Sequence, residues 1–129
     1  MRLLADTNTF LTVALEAPEK AQLIAKSEGA DLLAPSVLPY EIGNALSALV
    51  KRRRLQQDQA MQAWDATQRI PVELVEIDIT SALRISSRFD IYAYDAYFLQ
   101  AALEWDCPLL TLDKGMQRVA REMSLRLAD

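Results

Sequence analysis

Arg2-Leu3-Leu4-Ala5-Asp6-Thr7-Asn8 opens the chain with a short apolar run that ends on an acid and passes directly into residues that start a helix. An apolar run too short for a helix, closed by a polar turn signal, reads as a strand buried on both faces. The pattern repeats along the chain. Strands are expected at about 2–6, 31–34 (DLLA), 72–77 (VELVEI) and 108–112 (PLLTL), with a weak fifth at 124–127 (SLRL). Amphipathic helices are expected between them, at about 8–16, 18–28, 36–53, 56–69, 79–88, 94–106 and 114–122. Gly29 is a natural helix stop, and Pro71 and Pro108 bar helix continuation. Strands alternating with helices imply a parallel sheet covered on both faces. The expected fold is α/β: a three-layer α/β/α sandwich around a parallel sheet of four to five strands.

Composition sets the bounds. With 129 residues, 51% of them hydrophobic, and only 3 Gly and 5 Pro, the chain suits one compact domain over residues 1–129. It has no low-complexity tract, repeat or Gly/Ser-rich linker. No apolar run is long enough for a membrane span, and Met1-Arg2-Leu3-Leu4-Ala5-Asp6 lacks a signal peptide's apolar segment and cleavage site. A single cysteine, Cys107, forms no internal disulfide and is expected as a small buried hydrophobe. A soluble, unprocessed protein of a bacterial-type cytoplasm, without membrane attachment, is the expectation.

The chain has no histidine. That removes hydrolases built on Ser-His-Asp or Cys-His, the usual zinc sites, and ribonucleases that use histidine as acid and base. Carboxylate chemistry remains: an acid/base pair, or a cage of oxygen ligands for Mg²⁺ or Mn²⁺. The net charge of −4 runs against nucleic-acid binding, but setting four candidate site acids aside leaves 14 acids against 14 bases, a neutral body.

Those four acids are Asp6, Glu41, Asp95 and Asp113. Ligand sites of open α/β sheets lie beyond the carboxyl ends of the strands, near the point where strand order reverses. Asp6 closes the first strand, and Asp113 follows the strand at 108–112. Helices in such a fold run back against the strands, so their N-terminal ends share that edge. Glu41 lies early in helix 36–53, and Asp95 opens helix 94–106. Both sit on the apolar side of their helices: Glu41 with Val37, Leu38 and Ala45, Asp95 with Phe98, Leu99 and Ala102. An ionised carboxylate turned inward needs a cation, a donor or water. No Lys or Arg occupies the neighbouring helical positions, so a divalent metal is the economical partner, and oxygen ligands match Mg²⁺ and Mn²⁺.

Four segments carry these acids: Leu4-Ala5-Asp6-Thr7-Asn8, Pro39-Tyr40-Glu41-Ile42-Gly43-Asn44-Ala45-Leu46, Tyr94-Asp95-Ala96-Tyr97-Phe98-Leu99 and Leu110-Thr111-Leu112-Asp113. In order and spacing the chain resembles the PIN-domain ribonucleases over essentially its whole length, most closely the VapC-type toxins of toxin–antitoxin pairs. The resemblance implies a metal-dependent endoribonuclease with Asp6, Glu41, Asp95 and Asp113 as ligands and Asn8 and Thr111 as polar support. It also implies products with a 5′-phosphate and a 3′-hydroxyl, an antitoxin partner and a homodimer.

Other readings stay open. Asp6 and Asp113 also stand where helix caps belong, and Asp95 where a first-turn acid complements the helix dipole, while Glu41 is expected a turn inside its helix without that role. Lys51-Arg52-Arg53-Arg54 suits either an RNA backbone or a helix C-terminus. Tyr92, Tyr94, Tyr97 and Phe98 are candidates for base stacking, with Phe98 better suited to the core. Ala60, Met61, Trp64 and Thr67 form a stripe suited to core packing or to a partner helix such as an antitoxin tail. Rival functions are an aspartyl phosphotransferase of the haloacid dehalogenase type, disfavoured because position 8 is Asn, a housekeeping RNA-processing nuclease, and a scaffold module whose acids are only caps.

Overall fold

A computed structural model describes residues 1–128. The elements run β1 (Arg2–Ala5), α1 (Thr7–Ala14), α2 (Lys20–Ser27), β2 (Asp31–Pro35), α3 (Leu38–Lys51), α4 (Gln57–Gln68), β3 (Glu73–Val75), α5 (Ile79–Phe89), α6 (Ala93–Glu104), β4 (Leu109–Leu110) and α7 (Lys114–Glu122). Every pairing is parallel, and the sheet order is β3-β2-β1-β4. Strand order therefore climbs from β1 through β2 to β3 on one side and jumps to β4 on the other. The reversal falls between β1 and β4, the two strands that lead into Asp6 and Asp113.

Leu3, Leu4 and Ala5 of β1 have no solvent exposure, nor do Leu33 and Ala34 of β2. Burying each leucine contributes roughly 1.5–3 kcal/mol, and the central strand has no face left for water. The helices pack in two sets, α1 with α2, α3 and α4, and α6 with α5 and α7, and the sheet lies between them in the three-layer arrangement. Register is fixed by pairs such as Leu3 with Leu32 and Leu4 with Leu109.

Local chemistry sets where the elements begin and end. Asp6, Asp78 and Asp113 each accept a hydrogen bond from a backbone N–H in the first turn of α1, α5 and α7. Gln56 and Gln59 close a reciprocal box at the start of α4. After α2, Gly29 takes φ +72°, a left-handed conformation that relieves the helix end. Helix α3 stops at Lys51 rather than 53, because the chain turns at Arg53 with φ +59°.

Two expectations need correction. The segment 124–127 forms only a single parallel bridge, Leu109 with Leu127, so the sheet has four strands among the described residues. Its neighbour β4 is two residues long and offers just enough edge for Leu109 N–H to donate to Arg126 O and for Ala128 N–H to donate to Leu109 O, both at 2.9 Å. The stripe on α4 also divides. Ala60, Ala63 and Thr67 are buried, whereas Met61 is 57% exposed and Trp64 is intermediate. Cys107 is buried and free.

Candidate active site

Beyond the carboxyl ends of β1 and β4 lies a pocket of about 160 Å³, lined by Asp6, Thr7, Asn8, Glu41, Asn44, Ala45, Asp95, Phe98, Asp113 and Met116. All four candidate acids and Asn8 face it. Four helices begin here. Asp6 is the N-cap of α1 and Asp113 the N-cap of α7, while Glu41 and Asp95 lie in the first turns of α3 and α6. Glu41 therefore sits nearer its helix start than expected, since α3 begins at Leu38 and not at 36. The caps and the cluster are the same side chains, so a capping role does not compete with a place in the site.

Asp6 is the most enclosed, at 4% exposure. Thr9 donates to its Oδ1 twice, from the backbone N–H at 2.9 Å and from Oγ1 at 2.6 Å, and the Thr111 hydroxyl donates to Oδ2. Thr111 Oγ1 in turn accepts from Asp113 N–H at 3.0 Å, which ties the ends of β1 and β4 together. Thr111 thus stands behind Asp6 and not on the pocket wall. Burial pushes the Asp6 carboxyl above its usual range despite the Thr111 and Thr9 hydrogen bonds, with a further push from Asp113. Glu41 Oε1 accepts from Thr7 Oγ1 at 2.8 Å. Its carboxyl is raised first by burial and then by Asp95 and Asp6, against the Thr7 hydrogen bond. Asp95 is raised by burial, then by Asp113 and Asp6. Asp6 and Asp95 thus lie within electrostatic reach of each other and of both Glu41 and Asp113.

Among the described residues no cation lines the pocket to offset this charge. The pocket wall contains no Lys or Arg, and the ion pairs among the described residues, Lys20 with Glu16 and Arg126 with Asp106, lie elsewhere. Among the described residues no three acidic, histidine or cysteine side chains close into a tight metal cage. An open arrangement of carboxylates still fits Mg²⁺ or Mn²⁺. Such ions keep several waters and bind through one or two carboxylates together with substrate phosphates.

Four residues in or behind the pocket, Thr7, Thr9, Asn44 and Met116, are not among those the sequence singled out. Thr7 and Thr9 lie one and three residues beyond Asp6, the spacing of an N-cap and its first turn, and that spacing was the available signal. Asn44 is three residues beyond Glu41, on the same helical face. Met116 fills the floor from the first turn of α7 and carries no sequence mark of its own.

A parallel sheet with uncompensated carboxylates gathered at its switch point is the build of an acidic-site α/β enzyme. Residues 3–122 match the family model of the PIN domain. The chain belongs to the PIN-domain family, and this makes it a nuclease. Among solved structures it is similar to PAE2754 from Pyrobaculum aerophilum, with a TM-score of 0.71 and 20% identity over 92% of this chain and 79% of that one. It is also similar to a chain of VapBC2 from Rickettsia felis, solved bound to a DNA fragment from their promoter. The TM-score there is 0.69 and the identity 14%, over 98% of this chain and 97% of that one. At these identities the likeness is one of fold. No curated protein matches the chain. No helix among the described residues is long and apolar enough to cross a membrane.

Proposed function

We propose that the chain is a Mg²⁺- or Mn²⁺-dependent endoribonuclease and the toxin of a toxin–antitoxin pair. One observation carries the reading: four carboxylates from four separate elements share one pocket, and no basic side chain stands among them. Asp6, Glu41, Asp95 and Asp113 would hold the ion. Bound there, a divalent metal lowers the pKa of water and offsets charge developing on phosphoryl oxygens.

The protein's own contribution is placement. Thr9 and Thr111 clamp both oxygens of Asp6, and Thr7 holds one oxygen of Glu41, so these carboxylates meet a ligand without searching for their rotamers. Asn8 and Asn44 add neutral polar groups to the wall, suited to orienting water or a phosphate oxygen. The pocket is narrow, and it lies where the N-terminal ends of helices favour an anion.

A partner protein is supported by a second, larger groove of about 610 Å³ between α3 and α4, lined by apolar groups that include Leu46, Val50, Met61 and Trp64. An amphipathic antitoxin segment suits such a groove. The Rickettsia felis complex pairs a chain of this fold and length with its partner. A homodimer in the cytoplasm completes the reading.

The test is cleavage of a 5′-labelled single-stranded RNA by the purified chain, with Mg²⁺ or Mn²⁺ and with EDTA. Cleavage that depends on metal, leaves 5′-phosphate ends and is lost in Asp6→Asn is expected. Undiminished cleavage after thorough chelation would sink the mechanism. Induced expression should halt bacterial growth for the parent chain and not for Asp6→Asn; unimpaired growth would favour a housekeeping nuclease.

A further inference from the structure

The chain has nine aromatic residues: 4 Tyr, 3 Phe and 2 Trp. Only three of them are exposed, namely Tyr40, Tyr92 and Tyr94, at 79%, 85% and 52%. None of them lines the acidic pocket itself, but each lies within three residues of an acid that does, and Tyr40 also borders the groove between α3 and α4. Tyr40 immediately precedes Glu41 in the first turn of α3, and Tyr94 immediately precedes Asp95 in the first turn of α6. Tyr92 is the N-cap of α6. In a helix the preceding residue sits about 100° around the axis and about 1.5 Å nearer the N-terminus. Of the four helices that start at the pocket, α3 and α6 therefore each carry a solvent-exposed tyrosine next to their acid. The two helices approach from different parts of the chain, and the arrangement is the same on both.

Core packing does not account for these rings, because they are the ones outside it. Phe10 and Phe98 are buried, and Tyr97, Phe89, Trp64 and Trp105 are partly buried against the core. Tyr94 is also held in place: its ring meets that of Tyr97 edge to face, with centroids 5.8 Å apart. An RNA bound at this pocket finds acids and no basic residue on the wall, so phosphate contacts supply little grip there. Aromatic stacking on unpaired bases is independent of charge and tolerant of sequence. The acidic pocket, about 160 Å³, suits a phosphodiester and its sugar, which leaves the neighbouring bases outside it and within reach of exposed rings on α3 and α6.

We infer that Tyr40, Tyr92 and Tyr94 are positioning residues that stack on unpaired nucleotides on either side of the scissile phosphate. The inference rests on the nuclease reading and names how that site holds its substrate. Helical duplexes are disfavoured, since their bases are already stacked on one another.

The experiment measures binding by anisotropy and cleavage with Mg²⁺, using an unstructured 12-nucleotide RNA, the same strand with abasic positions beside the cleavage site, and its duplex. The parent chain should bind the intact strand at least about fivefold more tightly than the abasic one for each stacked base. It should disfavour the duplex. Tyr40→Ala, Tyr92→Ala and Tyr94→Ala should each remove about fivefold or more of the intact strand's affinity and narrow the gap to the abasic strand, appearing in KM more than in kcat. Phenylalanine at each position should restore most of the loss. Equal binding of intact and abasic strands by the parent chain, which involves no variant, overturns the proposal while leaving metal-dependent cleavage in place. Alanine variants that bind RNA normally but change self-association overturn it too and assign the rings to a protein interface. Absence of any RNA binding or cleavage by the parent chain overturns the nuclease reading along with it.

Discussion

Asp95→Asn should stabilise the metal-free protein, and the sign of that effect tests the site. Asp95 is half-buried and feels the charges of Asp6 and Asp113, while Glu41 is raised by Asp95 from across the pocket. Two carboxylates about 6 Å apart repel by roughly 0.7 kcal/mol in water and roughly 3 kcal/mol at an effective dielectric of 20. An open pocket belongs near the lower end, so about 1 kcal/mol per close neighbour is the working figure. Against it stands the helix dipole, which favours a first-turn acid by about 0.3–1 kcal/mol. Repulsion wins because more than one neighbour contributes.

Asparagine keeps the shape and removes the charge. The variant should therefore melt about 3–5 °C above the parent in EDTA for each kcal/mol gained. Its pH dependence has a definite sign. Because folding raises the Asp95 pKa, stability from the protonated form is fully present below the ordinary value of 3.8 and is lost as pH rises through the higher folded value. The advantage of the variant should accordingly be small in acid and appear toward neutral pH. Added Mg²⁺ should reverse it, since an ion at 100 times its Kd stabilises the parent by about 2.7 kcal/mol and binds the variant poorly. The assay is thermal unfolding of both proteins in EDTA and in millimolar Mg²⁺. A variant less stable in EDTA, with a difference that Mg²⁺ does not move, would refute the reasoning and leave Asp95 as a favourable helix charge.

Thr111→Val should destabilise the fold by about 1–3 kcal/mol, because it strips a donor from buried Asp6 and the acceptor from Asp113 N–H. Denaturant unfolding reads that loss, and the acid limb of the pH–rate profile should move upward because the lost bond is one that lowers the Asp6 pKa. Thr7→Val leaves Glu41 without its 2.8 Å donor and should raise the Mg²⁺ concentration needed for half-maximal cleavage; an unchanged activation curve would show that Thr7 does not position Glu41. Gly115→Ala should separate stability from activity. Alanine favours the α7 helix by up to about 1 kcal/mol, but its Cβ would lie 3.1 Å from Asp113 Oδ1 and crowd that carboxylate. Cleavage should fall while unfolding midpoints hold or rise, and full activity would place Asp113 outside the chemistry.

The fold was legible where local pattern and topology agree. Arg2–Ala5 forms the central strand because its apolar run has no polar alternation, and Asp6 and Asp113 follow strands that a parallel sheet must align at one edge. The segment 124–127 shows where pattern fails. Its alternating leucines are suited to a strand, yet strand length depends on the partner edge, and β4 is too short to extend it. The hydrogen bond from Thr7 to Glu41 joins residues 34 apart, and its geometry depends on the packing of α1 against α3, which no local periodicity encodes. The exposure of Met61 was hidden for a similar reason, since the spacing that marks an apolar face does not say how closely α3 approaches α4.

Four helix starts around one pocket also set how much positive charge the resting site can accept. Each helix N-terminus acts as roughly half a positive charge, so α1, α3, α6 and α7 together supply about +2 against the −4 of four ionised carboxylates. What remains is about −2, the charge that one divalent ion neutralises. A second ion would then meet a balanced site and the repulsion of the first, until a phosphodiester arrived with negative charge of its own. On the proposed reading the backbone would couple ion count to substrate: one divalent ion would bring the site close to charge balance, and a further ion would be favoured only alongside a phosphodiester.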